Sequence, residues 1–289
     1  MIVPTRELVE RARRDGRAVA ALNVITLEHA EAAAEAAEAA STPVILQISE
    51  NAVRYHGDRL QPIAAATAAV ARLAAVPVSV HLDHVTDERL LIEACRSAAG
   101  SLISSVMFDA GALPYEQNVE RTRAAADLAH AAGLWVEAEL GYVGGKPDAP
   151  RSAHAAGVRT DPDEAVAFVA ATGVDALAVA VGSSHAMTTR TARLDVSLVG
   201  RLRDALDVPL VLHGSSGVLP EELAAAVAAG VAKVNVGTAL NIALTTAVRD
   251  ALDADPSLVD PRKYLAPGRA AMVAAVAELL PGLEGLPGR

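Results

Sequence analysis

The stretch that decides the fold is Val76-Pro77-Val78-Ser79-Val80-His81-Leu82-Asp83-His84. Its first part alternates in polarity and is rich in valine, which suits a pleated, half-buried strand. It ends in two imidazoles and a carboxylate. Successive side chains on a regular strand point to opposite faces, so Asp83 and His84 cannot both face inward unless the strand is ending and turning into a loop. Two readings fit that end. One is a metal ligand beside a proton-transfer carboxylate. The other is a charged strand exit, with Asp83 capping a helix that starts near Thr86-Asp87-Glu88.

Working outward, the same kind of Val/Ile/Leu-rich run occurs eight times: Val19–Val24, Val44–Ser49, Val76–His81, Leu102–Phe108, Leu134–Leu140, Ala176–Val181, Pro209–His213 and Ala232–Val236. Alanine-rich helical segments lie between them. Thr26, Thr160-Asp161-Pro162 and Pro220-Glu221-Glu222 mark helix starts, and Gly100, Gly133, Gly173 and Gly230 mark helix ends. Eight strands alternating with helices within 289 residues predict a single-domain α/β fold, a (β/α)8 TIM barrel over residues 1–289. A doubly wound open sheet is the alternative, and the even repeat favours the barrel. The tail reads as a loop from Asp260 followed by a closing helix over Ala270–Leu280.

Composition limits the function. Hydrophobic residues make up 52% of the chain but aromatics only 2%, so the core must be built from Ala, Val and Leu. The net charge of −10 argues against a nucleic-acid surface. The single cysteine, Cys95, excludes an internal disulfide and points to a reducing cytoplasm, with the thiol as a buried structural group. Neither a secretory leader nor a membrane span is legible, which predicts a cytoplasmic protein.

Barrel enzymes carry their chemistry at the C-terminal ends of the strands. Here those ends hold Asn23, then Gln47 and Ser49, then Asp83 and His84, then Asp109, then Glu137 and Glu139, then Gly182-Ser183-Ser184-His185, then His213-Gly214-Ser215-Ser216-Gly217, and last Asn235 and Thr238. A lone histidine is more often a hydrogen-bonded core residue. Three of them, His84, His185 and His213, on three strands of one rim read instead as imidazoles closing around one metal, with zinc the first candidate. His29, His56, His130 and His154 sit in helices or loops and carry no such reading. His81 reads as a hydrogen-bonding support behind the metal ligands. The glycines and hydroxyls after strands seven and eight suit a phosphate.

The pieces Ala21-Leu-Asn-Val, Pro43-Val-Ile-Leu-Gln-Ile-Ser, His81-Leu-Asp-His, Ser105-Val-Met-Phe-Asp, Val136-Glu-Ala-Glu-Leu-Gly, Val211-Leu-His-Gly-Ser-Ser-Gly, Lys233-Val-Asn-Val and Asp260-Pro-Arg-Lys-Tyr resemble, in order and spacing, the class II metal-dependent ketose-bisphosphate aldolases, including fructose- and tagatose-bisphosphate aldolases. The resemblance implies zinc on His84, His185 and His213, with Asp109 and Glu139 at an alternate or second metal position. It implies Asp83 as the acid/base on the C4 hydroxyl of a ketose, and Asn235 as the residue orienting the triose enediolate. Gly214, Ser216 and Thr238 would hold the phosphate of dihydroxyacetone phosphate, with a monovalent cation near it, and Ser49 would touch the aldehyde half. Asn23, Gln47 and Gly182 complete the substrate contacts. The partner is a small sugar phosphate, with no nucleic acid or membrane, and the assembly is a homodimer or homotetramer. Lys233 shares a strand face with Asn235, so position alone leaves an imine mechanism open; the histidine set argues against it.

The sequence departs from the family at one catalytic position. The glutamate usual after Gly144-Gly145 is replaced by Pro147, or by Lys146 in another register, and Asp148 is the nearest carboxylate to act as base. Ala186 stands where glycine is usual, Gly111 where serine is common, and Ala239 where an acid is common. The closing helix also lacks the usual basic residues. These changes leave two readings: an aldolase with altered substrate or base, or a non-catalytic relative that binds metal and sugar phosphate. A metal-dependent hydrolase is a third, weakened because no carboxylate bridge between two metals is evident.

Overall fold

The computed structural model describes residues 1–100, 102–141, 159–184, 187–189 and 191–284. Eight parallel strands close into a barrel in sequence order. They are β1 (Val19–Asn23), β2 (Val44–Ser49), β3 (Val78–Val85), β4 (Ser105–Phe108), β5 (Trp135–Leu140), β6 (Ala176–Val179), β7 (Leu210–Leu212) and β8 (Val231–Val236). The expected (β/α)8 fold is the one observed. Around the barrel run α2 (Leu27–Ala39), α4 (Leu60–Leu73), α5 (Glu88–Ala98), α6 (Tyr115–Ala131), α7 (Pro162–Thr172), α8 (Val196–Ala205), α9 (Pro220–Ala229) and α10 (Thr238–Ala254). Before β1 comes α1 (Thr5–Arg14), after β2 a short α3 (Glu50–Tyr55), and at the end α11 (Pro261–Leu279). Among the described residues no helix is long and apolar enough to cross a membrane.

Alternation along the strands sorts the side chains into two layers. On β2, Val44, Leu46 and Ile48 face the helices, where they join the large apolar cluster with the alanines of α2. Alanine lets those helices lie close on the sheet. Inside the barrel, Val19, Ala21, Ile45, Trp135, Ala176, Ala178, Val211 and Ala232 form a separate apolar cluster with Leu8, Val9 and Ala12 of α1. α1 therefore fills the lower barrel with its apolar face. Above this layer the interior is polar: Gln47, His81, Glu137, His213 and Lys233 are all buried. The register sets them side by side, with Asn23 opposite Gln47, Gln47 opposite His81, and Ser49 opposite Asp83.

The structure corrects three expectations. First, β3 does not end at His81 but continues to Val85, with its pairing to β4 irregular between Leu82 and Val85 and with His84 at φ 50°. Left-handed backbone interrupts the alternation, so both Asp83 and His84 reach the barrel mouth. Second, Asp83 does not cap the following helix. Asp87 caps α5 by accepting from the Arg89 amide at 2.8 Å, and Glu50 accepts from the Thr86 and Asp87 amides at 2.6 and 3.1 Å. Third, the C-terminal helix starts at Pro261 rather than Ala270 and runs through Pro267. Packing overrides proline's poor fit within a helix. A Cβ on Gly268 would meet the Leu244 side chain at 2.5 Å, which shows how closely α11 approaches α10.

Candidate active site

A cleft of about 480 Å³ opens at the C-terminal ends of the strands. Of the residues expected there, Asn23, Gln47, Ser49, Asp83, His84 and Asp109 line it from β1 to β4. Gly214, Ser216, Asn235 and Thr238 line it from the opposite side. His213 and Glu139 are buried just behind this wall, with the His213 ring edge-on to that of His84 at a centroid distance of 4.9 Å. Gly182 is not part of the wall. It sits at φ 122°, where a Cβ would lie 2.3 Å from the Arg193 carbonyl oxygen, so the backbone packs closely there. His185 and Asp148, like His154, lie outside the described residues.

Donor atoms of Asp83, His84 and His213 lie within 4.8 Å of one another. His84 Nδ1 lies 2.8 Å from Asp109 Oδ2, which holds the ring with its Nε2 turned toward Asp83 at 3.7 Å. His213 Nε2 lies 2.9 Å from Glu137 Oε1, and its Nδ1 lies 3.2 Å from Glu139 Oε2. Asp83 Oδ1 is buried without a hydrogen-bond partner, as is His81 Nε2 at 3.7 Å from it. Three buried carboxylates, Asp83, Glu137 and Glu139, share this interior with one buried ammonium, Lys233. Imidazole and carboxylate donor atoms gathered within 4.8 Å of one another fit a divalent cation of the zinc type.

Electrostatics follows from the same contacts. Burial disfavours an ionised Asp83, but His84 and the surrounding His81, His213 and Lys233 outweigh it and hold the carboxyl well below its ordinary range. Burial opposes charge on His84 too, yet Asp83 and Asp109 raise it. His213 is pushed up to about 10 because Glu137 and Glu139 outweigh its burial. Glu137, also penalised by burial, is brought down to about 2 by Lys233 and His213. His81 moves the other way, lowered by burial and by Lys233, and its Nδ1 lies 2.7 Å from Ser105 Oγ. Its Nε2 lies 3.7 Å from Asp83 Oδ1 and 4.0 Å from Glu137 Oε2. Asp83 is thus held as an ionised carboxylate, with one oxygen accepting from Gln47 Nε2 at 3.0 Å.

On the far side, Gly214 takes a left-handed conformation at φ 68°, and Ser215–Gly217 form a single 3₁₀ turn. Ser216 Oγ accepts from the Ala239 amide at 3.1 Å, tying this turn to the first turn of α10. The N-terminus of α10 therefore opens onto the cleft at Gly237 and Thr238, where backbone N–H groups and the helix dipole favour an anion. Ser49 caps α3 by accepting from the Ala52 amide at 3.2 Å.

Reading the sequence underrated Glu137 and Lys233. Lys233 donates to Glu137 Oε2 and Asn235 Oδ1 at 2.8 Å each and to Gln47 Oε1 at 3.2 Å. With its protons so committed, the ammonium offers no lone pair to a carbonyl, which argues against the imine route. A lysine in a strand that otherwise reads Val231-Ala-Lys-Val-Asn-Val was the available signal. Arg54, Thr86 and Asn241 also line the cleft. The other described histidines make contacts away from the cluster. His29 faces Thr26 and Asn241, His56 lies 2.7 Å from the Ile25 carbonyl oxygen, and His130 lies 2.8 Å from Asp175. Cys95 is half-buried rather than fully buried, and burial pushes its thiol up, so it is not activated.

Fold and site together define a barrel enzyme whose polar groups gather at the strand ends around a carboxylate and paired imidazoles. The family model described as fructose-bisphosphate aldolase class-II matches residues 3–284. A fructose-bisphosphate aldolase from Geobacillus stearothermophilus is 39% identical over 276 residues, covering 95% of this chain and 94% of that protein. The YdjI aldolase from Escherichia coli K12 superposes with a TM-score of 0.79 at 31% identity, covering 98% of this chain and 97% of its own. A candidate fructose-1,6-biphosphate aldolase from Coccidioides immitis gives a TM-score of 0.84 at 31% identity, over 96% and 95% of the two chains. The chain belongs to the class-II fructose-bisphosphate aldolase family, and its chemistry is that of an aldolase, a lyase of carbon–carbon bonds.

Proposed function

We propose that the protein is a zinc-dependent aldolase that cleaves or forms a C–C bond in a phosphorylated ketose, with dihydroxyacetone phosphate as the enediolate half. The observation that carries this is the buried, unpartnered Oδ1 of Asp83 beside the donor atoms of His84 and His213. His84 and His213, with His185, would hold the metal, and Asp109 and Glu139 would hold an alternate or second position. When bound, the metal supplies Lewis-acid polarisation of a ketone oxygen.

The protein's own groups do the rest. Asp83 takes the proton from the C4 hydroxyl as the C3–C4 bond breaks, and returns it in condensation. Asn235 orients the three-carbon half from the cleft wall, and Asn23 and Gln47 contact it from β1 and β2. Gly214, Ser216 and Thr238 bind its phosphate at the α10 N-terminus. Ser49 contacts the aldehyde half. Asp148 exchanges the proton at the triose carbon in place of the absent loop glutamate.

Metal analysis together with a coupled cleavage assay across several ketose phosphates tests this reading. Zinc at the site with turnover is expected. Zinc bound with no aldol turnover on any of them would instead favour a non-catalytic relative, the reading that Pro147 supports. Asp148→Ala is expected to abolish isotope exchange at the triose carbon, and unchanged exchange would remove Asp148 as the base.

A further inference from the structure

We propose that Lys233 is a positioning residue whose ammonium dictates which way round the Asn235 and Gln47 carboxamides face; the proposal rests on the aldolase reading of this site. Lys233 is fully buried inside the barrel, behind the cleft wall. Its Nζ lies 2.8 Å from Asn235 Oδ1, 2.8 Å from Glu137 Oε2 and 3.2 Å from Gln47 Oε1. An ammonium has three donors and no acceptor, so three acceptors saturate it. A carboxamide facing it must present its oxygen, and its NH2 then points away.

The consequence at each amide is specific. Gln47, with its oxygen on Lys233, donates from Nε2 to Asp83 Oδ2 at 3.0 Å and to Asn23 Oδ1 at 2.8 Å. Turned over, it would set an amide oxygen against the Asp83 carboxylate and an NH2 against the ammonium, two repulsive contacts in place of two attractive ones. Asn235, with its oxygen on Lys233, keeps its NH2 for the cleft that it lines. Hydrogen bonds from a charged donor in a buried site are strong and directional, so one orientation dominates. Lys233 thereby leaves Asp83 with Oδ2 held by Gln47 and Oδ1 without a hydrogen bond, and gives Asn235 a fixed donor face, without itself lining the cleft.

A bland role must be separated from this one, because Lys233 also neutralises Glu137. Lys233→Met alone takes from the buried Glu137 its ammonium partner at 2.8 Å and is expected to lower the melting temperature. The pair Lys233→Met with Glu137→Gln removes both charges and keeps an acceptor for His213. It is expected to restore the melting temperature and metal content, yet to leave kcat lower by on the order of 10²-fold, as for a misplaced reacting group. Adding the pair to an Asn235→Ala background is expected to cost far less than adding it to the parent. Neutron diffraction on deuterium-exchanged crystals reads the amides directly: one orientation of Asn235 in the parent, and two or the reverse one in the pair. Recovered kcat in the pair, equal losses in both backgrounds, or an unchanged single orientation would each overturn the proposal. If the parent shows no aldol turnover, the aldolase reading fails, and the diffraction experiment still decides the role of Lys233.

Discussion

At the residue scale, the site depends on a few atoms in unusual states. Asp83 is buried yet held ionised by the imidazoles and the ammonium around it. Asp83→Asn keeps the shape and removes the base, and kcat for cleavage is expected to fall about 10²- to 10⁴-fold with metal content and melting temperature near those of the parent. A loss of metal in parallel with kcat would move Asp83 from acid/base to ligand. Gly214 is the other critical position. Its φ of 68° disfavours a side chain, and a Cβ would lie 2.5 Å from the backbone carbonyl carbon of Ser184. Gly214→Ala is expected to destabilise the fold by at least about 1 kcal/mol in urea unfolding and to weaken binding of dihydroxyacetone phosphate. A fully stable variant with parental affinity would contradict both statements. The positions of Asp83, Gly214, Asn235 and Thr238 were legible because strand ends in a parallel barrel form one rim. The polar network under them was not, since linear sequence does not pair Lys233 with Glu137, 96 positions away.

At the element scale, helix starts were legible because capping is local chemistry. Asp161 accepts from the Asp163 and Glu164 amides at 2.9 and 3.1 Å with Pro162 in the first turn, as Thr160-Asp161-Pro162 predicts. Asp161→Ala is expected to cost about 1 kcal/mol in urea unfolding with activity retained. The start of α2 carries a pH dependence. His29 Nδ1 accepts from the Thr26 backbone amide at 3.3 Å, and burial lowers the ring from its ordinary 6.5 despite the bond to Asn241. A depressed folded value means the unfolded chain binds the proton first. The stability this contributes is therefore complete above about pH 6.5 and is lost as pH falls below that through the folded value. His29→Gln is expected to flatten the loss of stability between neutral and mildly acid pH; parallel curves for parent and variant would exclude His29 as its source. Strand ends were the least legible elements. β3 runs four residues past its expected end because left-handed backbone at His84 lets pairing resume at Val85.

At the scale of the whole molecule, the barrel brings acids from different strands into one enclosed space. Chelation is expected to lower the melting temperature and added zinc to restore it, the zinc adding about 4 kcal/mol of unfolding free energy at a thousandfold excess over Kd. An unchanged melting temperature on chelation would show that the buried carboxylates are balanced without a metal. The sequence by itself determined the eightfold alternating α/β repeat, which favours a barrel, and the polar rim. These follow from strand periodicity, capping residues and the one-sided chemistry of parallel strand ends, all local or repeated signals. Only the tertiary structure decided that Asp83 and His84 both reach the barrel mouth, that the backbone packs tightly at Gly182, and that the C-terminal helix begins at Pro261. It also decided that Lys233 lies between two amides and a glutamate. The reason is the same in each case: these outcomes depend on register and on which distant groups compete for one buried atom, and neither is encoded within a window of the chain.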